Sequence, residues 1–374
     1  MTSVDADTLV LLRDAVGKHA ARTADGRAVR ARRNSLPGYT PAELTIMVEQ
    51  GWLAIGLPEE AGGPGLGVSA AAIVAEGLAG CFTADPFHGL FLAGRILTQA
   101  KADVDLLAAF AAGEILPALA WQEQSQSFRS PFSPATTLSA DYTLNGKKAY
   151  VTGAAGATHF IVSAASSSGL ALVLTKADAA GLSIHHDFRA DGTPMGQLHL
   201  AAKPGIVLCE GEKAEAALRA ALDETSVVIA AELMGHVDQM MALVIEHLKT
   251  RHQFGKPIGS FQALQHRAAD MFVQQRLARA VLDTNLSCMD GLDDASARGM
   301  LVARVRARLN DTAHYIVRES IQLFGAMGIT DENDLSLHVK RCLSLIGWLG
   351  NSAEQRGYYM DMAAPQGAGL NGRF

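Results

Sequence analysis

The sequence has little cysteine: Cys81, Cys209, Cys288 and Cys342 are the only four in 374 residues, far apart and with no CxxC pair. They read as reduced thiols of a cytoplasmic protein, and no metal site is expected. Charge is also sparse. Charged residues make up 19% and the net charge is −6, which gives no basis for non-specific nucleic-acid binding. No apolar run reaches membrane-spanning length and the N-terminus lacks a signal-peptide layout, so neither a membrane nor export is expected. Apolar residues are abundant, at 49%. That content fits a well-packed chain with much buried or interfacial surface. A chain of 374 residues is too long for one ordinary core and suggests two or three domains.

Residues 1–117 read as helices. Leu9, Leu11, Leu12, Val16 and Ala20 recur at helical spacing over Asp5–Arg22. Thr40-Pro41 with Glu43 is a capping-box start, and that helix runs to Gly51. Ala-rich Val68–Gly80 and Pro86–Ala112 follow. Residues 118–215 change to a small β domain. Asn145-Gly146 is a hairpin-turn signal among strand formers, and Phe160–Ser163, Leu170–Leu174 and Leu198–Leu200 are short apolar runs. Residues 216–374 return to helix. Ala216–Thr250 is one long helix or two with a kink near Gly235, and Ser260–Ser287, Ala295–Phe324 and Asp334–Met362 complete a bundle.

One stretch carries more chemistry than a plain helix needs: Arg251–Met271, RHQFGKPIGSFQALQHRAADM. A basic helix exit, a Gly/Pro break and a helix opening with Phe261-Gln262 suit an anionic cofactor at a helix N-terminus. A second is Gln322-Leu323-Phe324-Gly325-Ala326-Met327-Gly328, whose glycines permit close backbone approach, or a helix C-cap at Gly325.

Arg251, Phe254-Gly255 and Phe261-Gln262 resemble the acyl-CoA dehydrogenase family in identity and spacing. Gln50–Gly67 resembles its N-terminal domain, Asn145-Gly146-Lys147-Lys148 its middle domain and Gln322–Gly328 its Gln-x-x-Gly-Gly-x-Gly. The resemblance implies an α+β fold: an N-terminal helical domain, a middle β domain and a C-terminal four-helix bundle. It also implies FAD as cofactor and an acyl-CoA thioester as substrate. Arg251, Phe254, Gln262, Gln322 and Gly325 would reach across a subunit interface to a neighbour's FAD. Thr152 would face a flavin ring, and Ser352 and Glu354 keep the family's hydroxyl and second acid. The basic cluster Arg27, Arg30, Arg32 and Arg33 reads as a solvated face, with a CoA phosphate contact as the alternative.

The same comparison shows what is missing. Dehydrogenation needs a carboxylate base for the α-proton and a flavin for the β-hydride. The family's Glu stands nine residues after an Arg; nine after Arg341 is Gly350. The alternative family position falls on Thr225. Glu224 is adjacent but points about 100° away on a helix, and reads as an exposed acid. Glu232 reads as a solvated or interface residue. The flavin-facing loop keeps Glu123, but Gln122–Ser130 lacks the family's Pro and Gly-Ser-Asp.

Residues for the chain's own site are thus degraded, while those for a neighbour's FAD are kept. The expectation is a base-less subunit that completes the FAD site of a paralogous acyl-CoA dehydrogenase subunit in an α2β2 hetero-oligomer. A bulky steroid-like acyl-CoA would be the substrate and electron-transfer flavoprotein the acceptor. The alternatives are a self-sufficient homo-oligomeric dehydrogenase with a relocated base, Glu224 first, and a flavin monooxygenase on the same fold.

Overall fold

A computed structural model describes residues 6–363 apart from Ala84, Ser125, Gln126 and Ala179. Helices come first: α1 (Ala6–Thr23), α2 (Gly26–Arg32), α3 (Pro41–Glu49), α4 (Gly67–Leu78), α5 (Phe87–Gln99) and α6 (Val104–Ala111). The capping box forms as the sequence indicates, with Glu43 N–H donating to Thr40 Oγ1 at 3.3 Å and Thr40 N–H to Glu43 Oε2 at 2.7 Å. The helical stretch Pro86–Ala112 holds two helices, α5 and α6. Lys101 takes φ 53° between them, and Asp103 caps the second by accepting from Asp105 N–H at 2.8 Å.

The strands are β1 (Pro117–Ala120), β2 (Thr137–Leu138), β3 (Thr143–Thr152), β4 (His159–Ser166), β5 (Gly169–Lys176), β6 (Leu182–Phe188), β7 (Pro194–Pro204) and β8 (Ile206–Glu210). They form one sheet in the order β6-β7-β3-β2-β4-β5-β8, with β1 parallel on β4. Asn145-Gly146 is not a hairpin turn. Both lie inside β3, at a bulge against β7, where Asn145 Oδ1 accepts from Ala202 N–H at 2.8 Å. Gly146 is required there because a β-carbon would lie 2.6 Å from Thr136 Oγ1.

The last part holds α7 (Glu212–Thr250), the two-residue strands β9 (His252–Gln253) and β10 (Lys256–Pro257), α8 (Gln262–Leu286), α9 (Ala295–Phe324), α10 (Leu335–Gly347) and α11 (Ser352–Ala363). Helix α7 runs unbroken through 39 residues, with no kink at Gly235. A β-carbon at Gly235 would collide with the Glu76 carbonyl and Ala79 Cβ, so the glycine serves the crossing of α4 and α7. Helix α7 is long and apolar enough to cross a membrane, contrary to the expectation from sequence. It is the core helix instead: 72% of its apolar 18-residue window is buried, and the helix packs against α4, α5 and α9.

Asp334–Met362 also divides, at Trp348–Asn351, where Leu349 and Gly350 take φ 55° and 97°. In the basic cluster Arg27 is exposed as expected, but the other three arginines are not a solvated face. Arg30 pairs with Asp334 at 2.9 Å and Arg32 with Glu43 at 2.8 Å, and Arg33 pairs with Asp331. These contacts tie α2 to α3 and to the segment before α10.

Candidate active site

A cavity of about 500 Å3 opens where the sheet meets α10 and α11. Trp121, Phe128, Tyr150, Arg189, Trp348 and Gly350 contribute to its walls. Gly350, at the family's base position, sits on the turn between α10 and α11. Its φ of 97° is a conformation that disfavours any side chain. A β-carbon there would lie 2.9 Å from Gln355 Nε2 and 3.4 Å from Phe128 Cδ1. Buried polar groups hold this turn. Gln355 Nε2 donates to Leu349 O at 2.7 Å, Asn310 Nδ2 to Gly350 O at 3.3 Å, and Arg306 Nη2 to Trp348 O at 2.7 Å. Burial without a carboxylate partner pushes the Arg306 pKa down to about 9.

Among the described lining residues Glu354 is the one carboxylate. It caps α11, accepting from Asn351 N–H at 3.0 Å and from Ser127 Oγ at 3.3 Å. Ser352 opens the same helix. The Gln122–Ser130 loop includes Ser125 and Gln126, which lie outside the described residues. Glu123 faces the sheet, accepting from Thr136 Oγ1 at 2.8 Å and Lys148 Nζ at 2.7 Å. Burial opposes its ionisation, but the Lys148 ammonium outweighs burial and brings Glu123 down to about 2. Thr152 lies at the end of β3, and its hydroxyl accepts from Arg189 Nη2. The Arg189 guanidinium also stacks over Trp348, 5.0 Å from the ring centroid.

Thr225 and Glu224 both lie on α7, outside the residues that line the cavity. Thr225 is wholly buried and its hydroxyl has no partner. Glu224 is not an exposed first-turn acid, because α7 begins twelve residues earlier at Glu212. It is 7% exposed. It pairs with Arg95 through both oxygens, and Gln99 Nε2 donates to it at 3.3 Å. An Arg-locked carboxylate outside the cavity wall is poorly placed to take a proton from a ligand inside it.

Glu232 is not solvated either: it is fully buried within the chain. Arg341 Nε donates to its Oε1 at 2.7 Å, and His88 and His236 meet its two oxygens. Arg341 also pairs with Asp85 at 2.7 Å and Asp191 at 3.0 Å, and His236 meets His338 at 2.8 Å. Burial opposes the charge of Glu232, yet Arg341 holds its pKa well below the usual carboxylate range. In the sequence Arg341 stands out only by its spacing to Gly350. The available signal is Glu232 and His236 four residues apart inside the otherwise apolar run Val227–Val237.

The remaining residues gather at the far end of α7. Strands β9 and β10 form a two-residue hairpin, not an irregular break. Phe254 and Gly255 make its turn with φ 55° and 79°, both left-handed as a type I′ turn demands. Phe254 is 90% exposed. Arg251, exposed at the α7 C-cap, makes no ion pair among the described residues. Gln262 opens α8, whose N-cap Phe261 gives no side-chain cap. Gln322 is exposed on the last turn of α9, and Gly325 caps that helix at φ 63°. His247 stacks on Phe324 with centroids 4.2 Å apart, so the ends of α7 and α9 lie side by side. Arg251, Phe254, Gln262, Gln322 and Gly325 therefore share one end of the bundle, while Glu354 lines the cavity, Thr152 is tied to Arg189 on its wall and Ser352 opens α11.

Two family models match: "Acyl-CoA dehydrogenase, N-terminal domain" over residues 7–95 and "Acyl-CoA dehydrogenase, C-terminal domain" over residues 215–361. The chain is 30% identical over 335 residues to acyl-CoA dehydrogenase IpdE2 of Mycobacterium tuberculosis, covering 88% of this chain and 89% of that one. Among solved structures, a variant of the Tcur3481-Tcur3483 steroid ACAD aligns with TM-score 0.86 at 25% identity, over 95% of this chain and 97% of that one. The ChsE4-ChsE5 complex of Mycobacterium tuberculosis aligns with TM-score 0.84 at 20% identity, over 98% and 100%. The chain belongs to the acyl-CoA dehydrogenase family, a family of FAD-dependent oxidoreductases.

Proposed function

We propose that this chain is the subunit of a hetero-oligomeric acyl-CoA dehydrogenase that lacks a base of its own and completes the FAD site of a paralogous partner, in an α2β2 assembly. The observation that carries the reading is Phe254, a bulky residue in a left-handed turn and 90% exposed. A non-glycine residue in that region costs roughly 1–2 kcal/mol, and such strain concentrates at functional sites. A docking aromatic accounts for it.

The residues beside Phe254 fit a dinucleotide. Arg251 offers an unpaired guanidinium, and the start of α8 offers backbone N–H groups with no side-chain cap. Arg251 and Phe254 would hold the pyrophosphate, and Gln262, Gln322 and Gly325 the adenosine half. Geometry supports a partner's FAD rather than this chain's own. The cavity approaches α7 at Glu232, through Trp348 and His88, whose rings are 5.8 Å apart. Arg251 lies nineteen residues further along α7. At 1.5 Å per residue that is roughly 28 Å. One FAD with its ring in this cavity could not place its mid-molecule pyrophosphate there.

When bound, FAD supplies the acceptor for the β-hydride of an acyl-CoA thioester. This chain contributes positive charge to the cofactor's phosphates and an aromatic wall that excludes water. The base would come from the partner subunit. Gly350 supports that division, as do Thr152, Ser352 and Glu354, which are engaged by Arg189 or at the start of α11. The name of the Tcur3481-Tcur3483 steroid ACAD supports a steroid-like acyl-CoA as substrate. Electrons would leave to an electron-transfer flavoprotein, in the cytoplasm. The test is the flavin-to-chain ratio of the native assembly. Half occupancy is expected. Full occupancy, or flavin colour with dehydrogenase turnover in the lone chain, overturns the proposal.

A further inference from the structure

Helix α8 buries little of its surface in its own fold. Of its 25 residues Met271, Ala278 and Leu282 are the buried ones. On the side away from them Phe272, Val273 and Leu277 are each at least half exposed, and Ala269 and Ala280 are exposed beside them. At about 100° per residue, Ala269, Val273, Leu277 and Ala280 fall within about 40° of one line that faces away from the bundle. The flanks of this stripe are polar and already paired. On one side Arg267 pairs with Glu319 at 2.8 Å and Arg308 Nη2 donates to Gln274 Oε1 at 2.8 Å. On the other Arg279 pairs with Glu76 at 2.9 Å and Gln275 Nε2 donates to Asp238 Oδ1 at 2.6 Å. An apolar centre inside a polar rim is the anatomy of a subunit contact, not of a solvated helix.

Two charges at the edge of the stripe are different. Asp270 and Arg276, both exposed, make no ion pair among the described residues. Each stands three residues from Val273, one before it and one after. In an isologous contact, if one residue meets a second on the other copy, the second meets the first in return. With Val273 at the twofold axis, Asp270 of each copy meets Arg276 of the other. Arg267 and Arg279 are counterparts about the same axis, and each is neutralised inside its own chain. The face therefore complements itself in charge as well as in apolar surface.

We infer that α8 is the surface through which two copies of this chain meet, crossing at Val273 with two Asp270–Arg276 ion pairs. The occupant is a second copy rather than the paralogous subunit. The inference rests on the reading of an α2β2 assembly and deepens it: the two copies of this chain touch each other, and each holds its partner at the Arg251 end of the bundle.

The test uses the native assembly, with substitutions in this chain alone. In a Cys288→Ser background, which removes the exposed native thiol, oxidised Val273→Cys should give a covalent dimer of this chain on a non-reducing gel. Asp270→Arg sets like charges against each other and should weaken the joining of two-chain units into the four-chain assembly roughly tenfold or more, read by sedimentation. Arg276→Asp should do the same. Asp270→Arg with Arg276→Asp in the same chain rebuilds both pairs and should return the assembly to its wild-type strength. No dimer from Val273→Cys, unchanged assembly in Asp270→Arg, or a double variant as weak as the singles overturns the inference; the last is the outcome if α8 meets the paralogous subunit. The flavin ratio of the same samples separates the two ideas. Half occupancy without the disulfide dimer removes only the α8 contact, whereas full occupancy with it removes the division of labour and leaves the contact standing.

Discussion

The Gln355 side-chain amide donates to the Leu349 carbonyl at 2.7 Å, and the same nitrogen lies 2.9 Å from where a β-carbon on Gly350 would be. The base position is therefore closed by construction. A Glu substituted there meets a left-handed backbone and a buried amide that already serves the turn. Gly350→Glu should give no dehydrogenase turnover from this subunit and should destabilise it by about 1–3 kcal/mol. Turnover assays of the assembly and thermal melts of the chain check this. A gain of activity with an unchanged melting temperature would show that the turn is not the obstacle.

Phe254 separates stability from function. Asn-Gly is the preferred pair for a two-residue type I′ hairpin, and Phe254-Gly255 departs from it only in the first residue. Phe254→Asn should relieve strain and stabilise the chain by about 1 kcal/mol. It should also weaken flavin retention in the assembly. Melting curves and flavin content on the same preparation give both readouts. Loss of stability with full flavin retention would mean that Phe254 is there for the hairpin.

The helices were legible in the sequence because their faces repeat at 3.6 residues and their caps are local. Ala295–Phe324 is placed to the residue, and Thr40 and Glu43 form the box their spacing indicates. The failures have a common cause. Asn145-Gly146 is a turn signal locally, but its neighbours across the sheet, Ala202 and Thr136, place it in a bulge. Gly235 is a potential kink on its own and a helix-crossing point once Glu76 is beside it. Glu224 and Glu232 read as solvated because Arg95 and Arg341 are distant in sequence. The fixed spacing from Arg341 picks out Gly350, and only the fold shows the turn and the Gln355 amide around it.

Glu123 and Lys148 give the sheet an acid-sensitive tie. The folded pKa of Glu123, about 2, lies below its unfolded value. Its contribution is therefore complete above about pH 4.3 and is lost as pH falls through about 2. As Glu123 protonates, Lys148 Nζ keeps only Trp121 O at 3.3 Å and Ser163 Oγ at 3.0 Å. Glu123→Gln should remove on the order of 1 kcal/mol at neutral pH, after discounting for partial exposure, and flatten the stability curve between pH 4 and 2. Denaturant unfolding at several pH values measures this. A variant curve parallel to the wild type would assign the acid sensitivity to other groups.

Glu232 joins four parts of the fold at one carboxylate: His88 from α5, its own α7 with His236, and Arg341 from α10, which in turn holds Asp191 beside β7 and Asp85 beside α5. Two effects oppose each other here. Burying these charges is costly, and pairing them only offsets that cost. Removing one member, however, leaves Arg341 and two imidazoles arranged around nothing. Glu232→Ala should then cost about 3–5 kcal/mol, the range for breaking a buried pair. Glu232→Gln fills the space and keeps an acceptor for Arg341, so it should cost clearly less. If shape alone mattered, Glu232→Gln would behave as the wild type; if charge alone mattered, the two variants would be equally unstable. Chemical unfolding of both, with Arg341→Met as the third arm, separates the contributions. A loss below 1 kcal/mol in Glu232→Ala would mean that water enters and replaces the carboxylate.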